Sequence, residues 1–393
     1  MNSMKNILLI ARRECRLIIE DKWTAIVMLV VPLVAAVVMG LIYNSRIASD
    51  IPTMIVDHDQ TPMSRLLIRS MDASEYIEIV RTDVSGGDVE AIMRKGEIRF
   101  AVEIPKDFER ELQRGHQAHI LCIANGTNIV EAVSVLKGAN EVASTLAAGV
   151  SIDKMETLGV PSTHALDAYV PLEVTQRFLY NPAGTYSNFL LPGILIALLQ
   201  QVVMVGAALT WAREFQEGIV STLTSISTRL NEQIVGKILP YIGIGLAWSV
   251  VFFGGIFGTL EVPFAGSFIA GLVALVLMMG SMGMLAMVIS AASPNKATAM
   301  QFVFIASSPA FLVSGSTFPL MAMTAPVRIF AAVIPLTHFL TAWRRIVLYG
   351  AGFSEITSQL LIMTLMIMVF ASLTTQLVKR RVLAQPIVSG VQQ

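Results

Sequence analysis

Charged residues are scarce in this 393-residue chain. They make up 14% of the sequence, whereas an ordinary soluble domain has about 25%, and 54% of the residues are hydrophobic. The 28 basic and 28 acidic residues cancel, so the strong positive charge of a nucleic-acid-binding protein is missing. Two cysteines and five histidines are too few for a disulfide-stapled or metal-rich scaffold. A purely soluble protein is therefore excluded, and no nucleic-acid partner is expected.

The chain also lacks the phosphate-binding loop G-x-x-x-x-G-K-[ST], because no lysine is followed by serine or threonine. We therefore expect no ATP hydrolysis on this chain and no enzymatic activity of its own. Its long apolar stretches contain no Asp, Glu, Lys or Arg, the residues with which ion-coupled carriers commonly bind a proton or ion at membrane depth. The energy for any transport would come from another subunit.

The charges that are present are unevenly distributed. Residues 45–186 contain 33 of the 56 charged residues, so one polar region interrupts an apolar chain. Outside it lie six long stretches without a charged residue: 23–45, 178–212, 238–260, 262–295, 297–327 and 356–378. Each exceeds the roughly 20 residues that a helix needs to cross a bilayer. We predict an α-helical polytopic membrane protein with six transmembrane helices, the first an uncleaved anchor and not a signal peptide.

Orientation follows from lysines and arginines near the span ends, which are retained in the cytoplasm. With both termini inside, the cytoplasmic side holds twelve of them: Lys5, Arg12, Arg13, Arg16, Lys22, Arg213, Arg229, Lys237, Lys296, Lys379, Arg380 and Arg381. The opposite side, without the long polar region, holds three: Arg328, Arg344 and Arg345. This difference predicts cytoplasmic N and C termini and places residues 45–186 outside.

Residues 45–186 alternate between strand-like and helical patterns. This predicts a small extracytoplasmic α/β domain inserted between the first and second transmembrane helices. Strands are expected at 53–56, 77–80, 98–104 and 118–123. Helices are expected at 62–70, 88–95, 107–114 and 129–148. At the start of the third helix, Asp107 is expected to accept hydrogen bonds from the unpaired amides of the first turn.

Two histidine-containing clusters in this domain have the composition of weak metal sites. For Asp57–Asp59, after the first strand, the alternatives are a divalent cation and a turn cap. His116 and His119 flank a predicted helix-to-strand turn. We favour the turn in both cases and predict no metal site. Cys15 and Cys122 lie on opposite sides of the predicted membrane, so they cannot pair within one chain.

A cytoplasmic segment between the second and third spans begins at Arg213–Glu214 and ends at Gly236–Lys237. Within it, Ile219, Leu223 and Ile226 have the i, i+4, i+7 spacing of one helix face. Two interpretations are open. The helix lies on the lipid headgroups, or it docks in a groove of a cytoplasmic motor domain and moves with it.

The chain carries a series of short motifs. The N-terminal segment has R-E, then D-K, then a proline within the first span, at Arg13–Glu14, Asp21–Lys22 and Pro32. The outer domain has V-D-x-D, I-P-x-x-F and N-x-T-N, at Val56–Asp59, Ile104–Phe108 and Asn125–Asn128. The cytoplasmic segment has R-E-x-x-x-G and a final G-K, at Arg213–Gly218 and Gly236–Lys237.

The C-terminal part adds S-G-x-x-F-P at Ser314–Pro319 and I-P-x-T-H-F at Ile334–Phe339. In this order, and over nearly the whole chain, the motifs resemble those of the type-2 ATP-binding-cassette (ABC) exporter permeases with a large extracytoplasmic domain. Pro326 and Pro335 bracket a segment too short to cross the bilayer, and the three outer arginines can hold its ends at the headgroups. We predict a re-entrant segment over 319–350.

The resemblance implies a permease subunit that dimerises in the bacterial cytoplasmic membrane and exports an amphipathic or hydrophobic substrate. This chain would carry no cofactor, because ATP and Mg²⁺ would bind to a separate ABC ATPase subunit. The other implied partners are a second permease, membrane lipid, and a periplasmic adaptor protein with its outer-membrane channel. The predicted segments are a cytoplasmic helix 1–22, a first span 23–44, the outer domain 45–186, spans two to six within 187–378 with a coupling loop 212–237, and a tail 379–393.

The resemblance also implies two sets of site residues. Coupling to the ATPase is expected at Arg13, Glu14, Arg213, Glu214, Gly218, Leu223, Gly236 and Lys237. An outer gate is expected at Ser314, Gly315, Phe318, Pro319, Pro335 and His338. The largest polar side chains within the spans are Gln200, Gln201 and Gln301, which either line the path or tie helices together.

Three residues of the coupling loop depart from the family pattern. Ile219 and Ser221 replace its Thr and Glu, and Ser227 replaces its usual Pro. This motivates the hypothesis of a heterodimer with a second, better-matched permease. Two alternative functions stay open: an ATP-independent channel or carrier, and a membrane-anchored ligand sensor.

Overall fold

The computed structural model describes residues 2–42, 49–84, 88–114, 116–157, 186–259 and 264–384. The chain divides into two compact units, Met1–Asn44 with Phe178–Gln393, and Ser45–Arg177. Parts of the predicted outer domain (158–185) and of the predicted tail (385–393) lie outside the described residues. Each unit has its own hydrophobic core.

The first unit begins with helices α1 (Asn2–Glu20) and α2 (Lys22–Ile42). Asp21 lies between the two helices. Its carboxylate accepts hydrogen bonds from the Thr24 amide at 3.3 Å and from the Thr24 hydroxyl at 2.8 Å. These bonds cap the first turn of α2. One buried side of α1, with Ile10 and Ile18, faces the core of the unit.

The second unit contains a four-stranded sheet in the order β2-β1-β3-β4. Its strands are β1 (Ile51–Asp57), β2 (Ile77–Asp83), β3 (Phe100–Ile104) and β4 (Leu121–Ala124). β1 pairs in parallel with β2 and β3, and β4 is antiparallel to β3. The four predicted strands are confirmed, although β2 extends beyond its predicted end to Asp83.

Helices cover both faces of this sheet. They are α3 (Pro62–Asp72), α4 (Val89–Arg94), α5 (Phe108–Arg114) and α6 (Ile129–Thr157). Side chains alternate between the faces of a strand, so neighbouring strand residues enter different cores. Phe100 packs in the core with α3, α5 and α6, while Ala101 packs with Ile92 of α4. α6 continues beyond its predicted end at residue 148.

The predicted N-cap of α5 is wrong. Asp107 has φ +66° and its carboxylate pairs with Arg110 at 2.6 Å. The amides of Phe108 and Glu109 instead donate to the carboxylate of Asp59, at 3.1 and 3.0 Å. Asp59 is almost fifty residues away in sequence, so local spacing could not identify it. The V-D-x-D and I-P-x-x-F motifs therefore meet to start one helix.

The described remainder of the first unit is mainly helical. Its longer helices are α7 (Tyr186–Glu217), α8 (Val220–Ile226), α9 (Leu230–Ser249), α10 (Phe268–Ala292), α11 (Lys296–Val313), α12 (Ala325–Ala332), α13 (Pro335–Tyr349) and α14 (Phe353–Ala384). α9 continues through a π-helical turn, Val250–Ile256. α10 packs against both α7 and α14, and these contacts form the centre of the unit.

Six helices of the described chain are long and apolar enough to cross a membrane. They are Lys22–Ile42, Leu190–Glu217, Leu230–Gly255, Phe268–Ala292, Lys296–Val313 and Phe353–Leu383. The predicted number of spans is confirmed. α12 and α13 form an additional pair bent by 85°, which is the geometry of a broken span or a re-entrant loop. This pair occupies the segment that was predicted to be re-entrant.

Candidate coupling site and translocation path

A cluster of buried charges joins α1, α7 and α9. Lys237 of α9 is fully buried, and its Nζ lies 2.6 Å from both Glu14 Oε1 and Glu214 Oε1. Nζ also donates to the Thr210 carbonyl at 3.3 Å. Arg13 of α1 donates through both of its terminal nitrogens to the carboxylate of Glu214. Two cations therefore balance two carboxylates.

The surroundings of this cluster compensate the cost of burying it. Removing an ion from water costs several kcal/mol, so buried charges need close partners. Tyr241, one helical turn after Lys237, donates to Glu14 Oε2 at 3.3 Å. Burial disfavours the charge of Arg13, but the hydrogen bond and charge of Glu214 outweigh it, and the pKa of the guanidinium is raised. The cluster fastens α1 to the two spans.

A second ionic contact lies beside the cluster. Arg213 Nη2 is 3.8 Å from Asp21 Oδ2, at the junction of α1 and α2. Partial burial alone would raise the pKa of Asp21, but the hydrogen bonds from Thr24 and the charge of Arg213 outweigh burial and lower it. The end of α7 is thus linked to both N-terminal helices.

Gly236 allows α1 and α9 to touch. A Cβ atom at this position would lie 2.7 Å from the Cβ of Ile10 and 3.0 Å from the carbonyl oxygen of Ile7. Contacts this short would push the helices apart. The two residues of the G-K motif have different structural uses, because the glycine permits the helix contact and Lys237 supplies the buried cation.

The loop from α7 into α8 turns at Gly218, whose φ of +66° is strained for other residues. Leu223 of α8 is fully buried in the core of the membrane unit. The apolar side of α8 at Leu223 therefore faces this chain and not lipid or a partner. The opposite side is polar and exposed, with Ser221, Thr222, Thr224 and Ser225.

Ser227 fixes the other end of α8. Its hydroxyl donates to Glu232 Oε2 at 2.6 Å, and its carbonyl accepts from Gln233 Nε2 at 2.6 Å. Asn6 of α1 donates to the same oxygen of Glu232 at 2.9 Å. The serine that replaces the usual family proline thus has a structural role, in tying α8 to α9 and indirectly to α1.

The structure brings the predicted coupling residues together. Arg13, Glu14, Glu214 and Lys237 are in direct contact, and Gly218 is the exposed residue of the set. The buried residues of this set can act on a partner only through the helices that they join. Contact between the set and an ATPase therefore stays a prediction. Tyr241 was not among the predicted residues, although its i+4 spacing from Lys237 places it on the same helix face.

The three glutamines of the spans have different surroundings. Gln200 of α7 is buried, and its Nε2 lies 3.5 Å from the Ser307 carbonyl of α11. Among the described residues, the side-chain oxygens of Gln200 and Gln201 are buried without a hydrogen-bond donor. Gln301 is exposed on α11. Gln200 therefore ties two helices together and, with Gln201, offers unused acceptors in an apolar environment.

The predicted gate residues surround the end of α11 and the bent pair. Ser314 ends α11 and donates to the Phe311 carbonyl at 2.6 Å, and Gly315 follows with φ +83°. Phe318 and Pro319 are exposed. A cavity of about 340 Å³ is lined by Ser314, Gly315 and Pro319 on one side and by α13 on the other.

His338 holds the corner between α12 and α13. Its Nε2 lies 2.8 Å from the Ala332 carbonyl, which accepts the ring N–H. Pro335 begins α13, where a missing amide hydrogen costs nothing. The I-P-x-T-H-F motif therefore builds the bend of 85°.

The two histidine clusters of the α/β unit are engaged in ordinary contacts. Asp57 Oδ1 accepts from the amides of Asp59 and Gln60 at 3.0 Å each, as a turn cap does. His116 Nδ1 lies 2.8 Å from Glu111 Oε2. In the described ranges no group of three His, Cys, Asp or Glu residues is arranged to hold a metal ion.

The spans and the inserted α/β unit are those of a multi-pass membrane protein. Residues 22–375 match the family model described as ABC-2 family transporter protein, so the chain belongs to this family. It is 25% identical over 374 residues to the probable multidrug ABC transporter permease YbhS of Escherichia coli K12, covering 94% of this chain and 95% of that one.

Two further relatives of the same strain are similar over most of the chain. The inner membrane transport permease YhhJ is 24% identical, with 97% of this chain and 98% of that one covered. The probable multidrug ABC transporter permease YbhR is 22% identical, with 89% and 91% covered. The resemblance to ABC exporter permeases is confirmed, and the protein is a multi-pass protein of the cytoplasmic membrane.

Proposed function

We propose that this chain is the permease subunit of an ATP-driven exporter of amphipathic or hydrophobic molecules, and that a separate ABC ATPase moves it through α1 and α8. The observation that carries the proposal is the buried cluster of Lys237, Glu14 and Glu214. It joins the N-terminal helix to two spans beside a helix with an exposed polar side. The word multidrug in the relatives' names supports the substrate class.

The contacts account for how motion passes into the spans. A force on α8 reaches the core through Leu223 and reaches α9 through Ser227. A force on α1 reaches α7 and α9 through the ion pairs. Because ion pairs in a water-excluded site hold a fixed geometry, these helices move as one body. ATP and Mg²⁺ act on the partner, and this chain holds neither.

The substrate path follows α7 towards the bent pair. The unused oxygens of Gln200 and Gln201 accept hydrogen bonds from a polar group of a passing molecule, while the spans around them contact its apolar part. The cavity beside Ser314 lies against α13, and movement of the bent pair of α12 and α13 opens or closes the outer end. Residues Phe318 and Pro319 form the exposed edge of this gate.

A second permease completes the transporter, and an adaptor with an outer-membrane channel is a further partner on the outer side. The departures at Ile219, Ser221 and Ser227 keep the heterodimer hypothesis open. Counting the permease gene products in the purified complex tests it. Two different products support a heterodimer, and two copies of one product exclude it.

Affinity purification from the native host tests the main proposal. The wild type is expected to bring down an ABC ATPase with measurable ATP hydrolysis. The double variant Ser221→Trp/Ser225→Trp places bulk on the exposed side of α8 without entering the core, and is expected to lose the ATPase. Thr324→Trp, at an exposed position before α12, is the matched control and should retain it. A folded wild type without an ATPase contradicts the proposal and favours a channel or sensor.

A further inference from the structure

A cavity of small-molecule size lies in the α/β unit. It has a volume of about 920 Å³, is open to the surface, and is lined by α3, α5, α6 and the turn before β2. Much of its wall is apolar, from Met63, Leu66, Leu112, Leu146 and Val150. A second cavity of about 90 Å³ adjoins it across Leu112, Leu146 and Val150, and all of its lining residues are apolar. Sites for small organic ligands typically enclose roughly 300 to 1,000 Å³ with mostly apolar walls.

The path of α6 leaves this space open. At Gly138 the helix lies against the turn before β2, since a Cβ there would be 2.8 Å from Tyr76 Cδ2. At Gly149 a Cβ would meet no atom within 4 Å. The helix is therefore packed tightly at one position and lines an unfilled volume three turns later. A Cβ at Gly149 would therefore point into open space at the cavity wall.

The charged part of the cavity wall is acidic. Among the described lining residues Glu75 and Glu141 are charged, and none is a lysine or arginine. Lys137, one turn before Glu141, has its Nζ 3.8 Å from Glu141 Oε1 and 3.1 Å from the Tyr76 hydroxyl. Its single positive charge acts on both Glu141 and Glu75, which are exposed at the edge of the cavity. Two carboxylates therefore face one ammonium group among the described residues, and a net negative charge remains at the cavity.

We propose that this cavity binds an amphipathic molecule with a cationic amine head and an apolar body. The apolar body packs against Met63, Leu112 and Leu146. The amine lies near Glu75 and Glu141, whose charge attracts it and repels anionic amphiphiles of the same length. Binding by the α/β unit needs neither ATP nor an ATPase, so this inference stands or falls separately from the proposed transport function.

The test uses the full chain in lipid nanodiscs and a dodecyl trimethylammonium probe that carries a diazirine on its chain. Photolabelled peptides are identified by mass spectrometry, with unlabelled dodecyl trimethylammonium as competitor. We expect saturable labelling of α3, α5 and α6. Gly149→Trp fills the cavity and is expected to lower the affinity at least about tenfold. Ser144→Trp, at an exposed position on the same helix but outside the cavity wall, should leave it unchanged.

The head-group preference is tested by a second variant. The double variant Glu75→Gln/Glu141→Gln keeps the shape of the cavity. It is expected to weaken binding of the cationic probe about fivefold and to change binding of a neutral dodecyl glucoside probe little. This variant does not depend on tolerance of a large side chain. The proposal is overturned if labelling maps elsewhere, if Gly149→Trp leaves it intact, or if neutral and cationic probes bind equally. Absence of saturable labelling would instead favour a protein partner on this surface.

Discussion

Lys237 is the residue on which the joint between α1, α7 and α9 depends most. Its fully buried ammonium group lies between two buried carboxylates. Removing one partner from a buried ion pair costs about 3 to 5 kcal/mol, because the opposite charge stays buried without compensation. Neutralising a cation and a carboxylate together restores the balance.

We expect Lys237→Met to lower the melting temperature of the protein in detergent strongly. The double variant Lys237→Met/Glu14→Gln should recover most of the loss, since Arg13 and Glu214 stay paired. Lys296→Met is the matched control, because Lys296 forms a half-exposed pair with Glu217 worth less than about 1 kcal/mol. Equal destabilisation by Lys237→Met and Lys296→Met would contradict the buried-cluster interpretation.

Asp59 and Asp107 give a second comparison at the residue scale. Asp59→Ala removes the acceptor for two amides of α5, and loss of such a cap costs about 1 kcal/mol. We expect faster hydrogen exchange at the start of α5 in this variant. Asp107→Asn keeps a residue that tolerates positive φ, and should change exchange little. If Asp107→Asn speeds hydrogen exchange at the start of α5 and Asp59→Ala does not, Asp107 is the N-cap, as the sequence predicted.

We expect the contact between Glu111 and His116 to add a small acid-sensitive contribution to the stability of the α/β unit. The pKa of Glu111 lies below its ordinary value of 4.5, first because of the hydrogen bond from His116. A carboxylate with a lowered folded pKa stabilises the fold above its unfolded pKa, and this is lost as pH falls through the folded value. Between about pH 5 and about pH 3, the melting temperature of the wild type should fall slightly more than that of the Glu111→Gln variant. Identical pH curves would contradict this.

At the scale of elements, α1 is held by geometry as well as charge. Helices approach closely only where a small residue leaves room, and Gly236 provides that room for α1. α8 similarly depends on Gly218 for its turn and on Leu223 for its attachment. The two helices on which we propose that a partner acts therefore both have specific contacts to the membrane unit.

Gly236→Val should separate α1 from α9. Trypsin would then cleave more rapidly after the arginines of α1, which can be followed by mass spectrometry. Gly243→Val is the matched control on the same helix, because a Cβ at Gly243 would meet nothing within 4 Å. If both variants are cleaved at the wild-type rate, close contact at Gly236 does not hold α1.

At the scale of the whole molecule, the chain forms two units with separate cores. The core of the α/β unit consists of residues from the strands and from α3, α5 and α6, without any from the spans. A unit with its own core can fold alone. The buried ionic cluster around Lys237 and the proposed amine site accordingly belong to different units.

We expect the segment Ser45–Arg177, produced alone, to give the circular dichroism of an α/β protein and a cooperative melting transition. Phe100→Ala should lower its stability by about 3 to 5 kcal/mol, because the ring is fully buried beneath three helices. Val133→Ala, at an exposed position on α6, is the control. An unfolded segment would show that the spans are needed for its stability.

Local patterns were sufficient for the number of spans, the inserted unit, its four strands and the bent segment near the C terminus. The length of an apolar stretch, the alternation of apolar and polar residues in a strand, and the position of a proline are properties of consecutive residues. They can therefore be recognised in the sequence without knowledge of the tertiary structure. The same applies to the family, since its motifs are short. The strand ends and helix ends shifted by a few residues, because hydrogen-bond partners in other elements decide them.

The partners of individual residues were decided only by the tertiary structure. Lys237 meets Glu14 across 223 positions, Asn6 meets Glu232 across 226, and Asp59 caps a helix 49 positions away. No local spacing encodes such pairs, because they depend on which helix faces pack together. The burial of Leu223 and the open volume at Gly149 have the same origin. Sequence alone determined a six-span permease with an inserted domain, and packing determined which of its motif residues became buried joints and where a cavity stayed open.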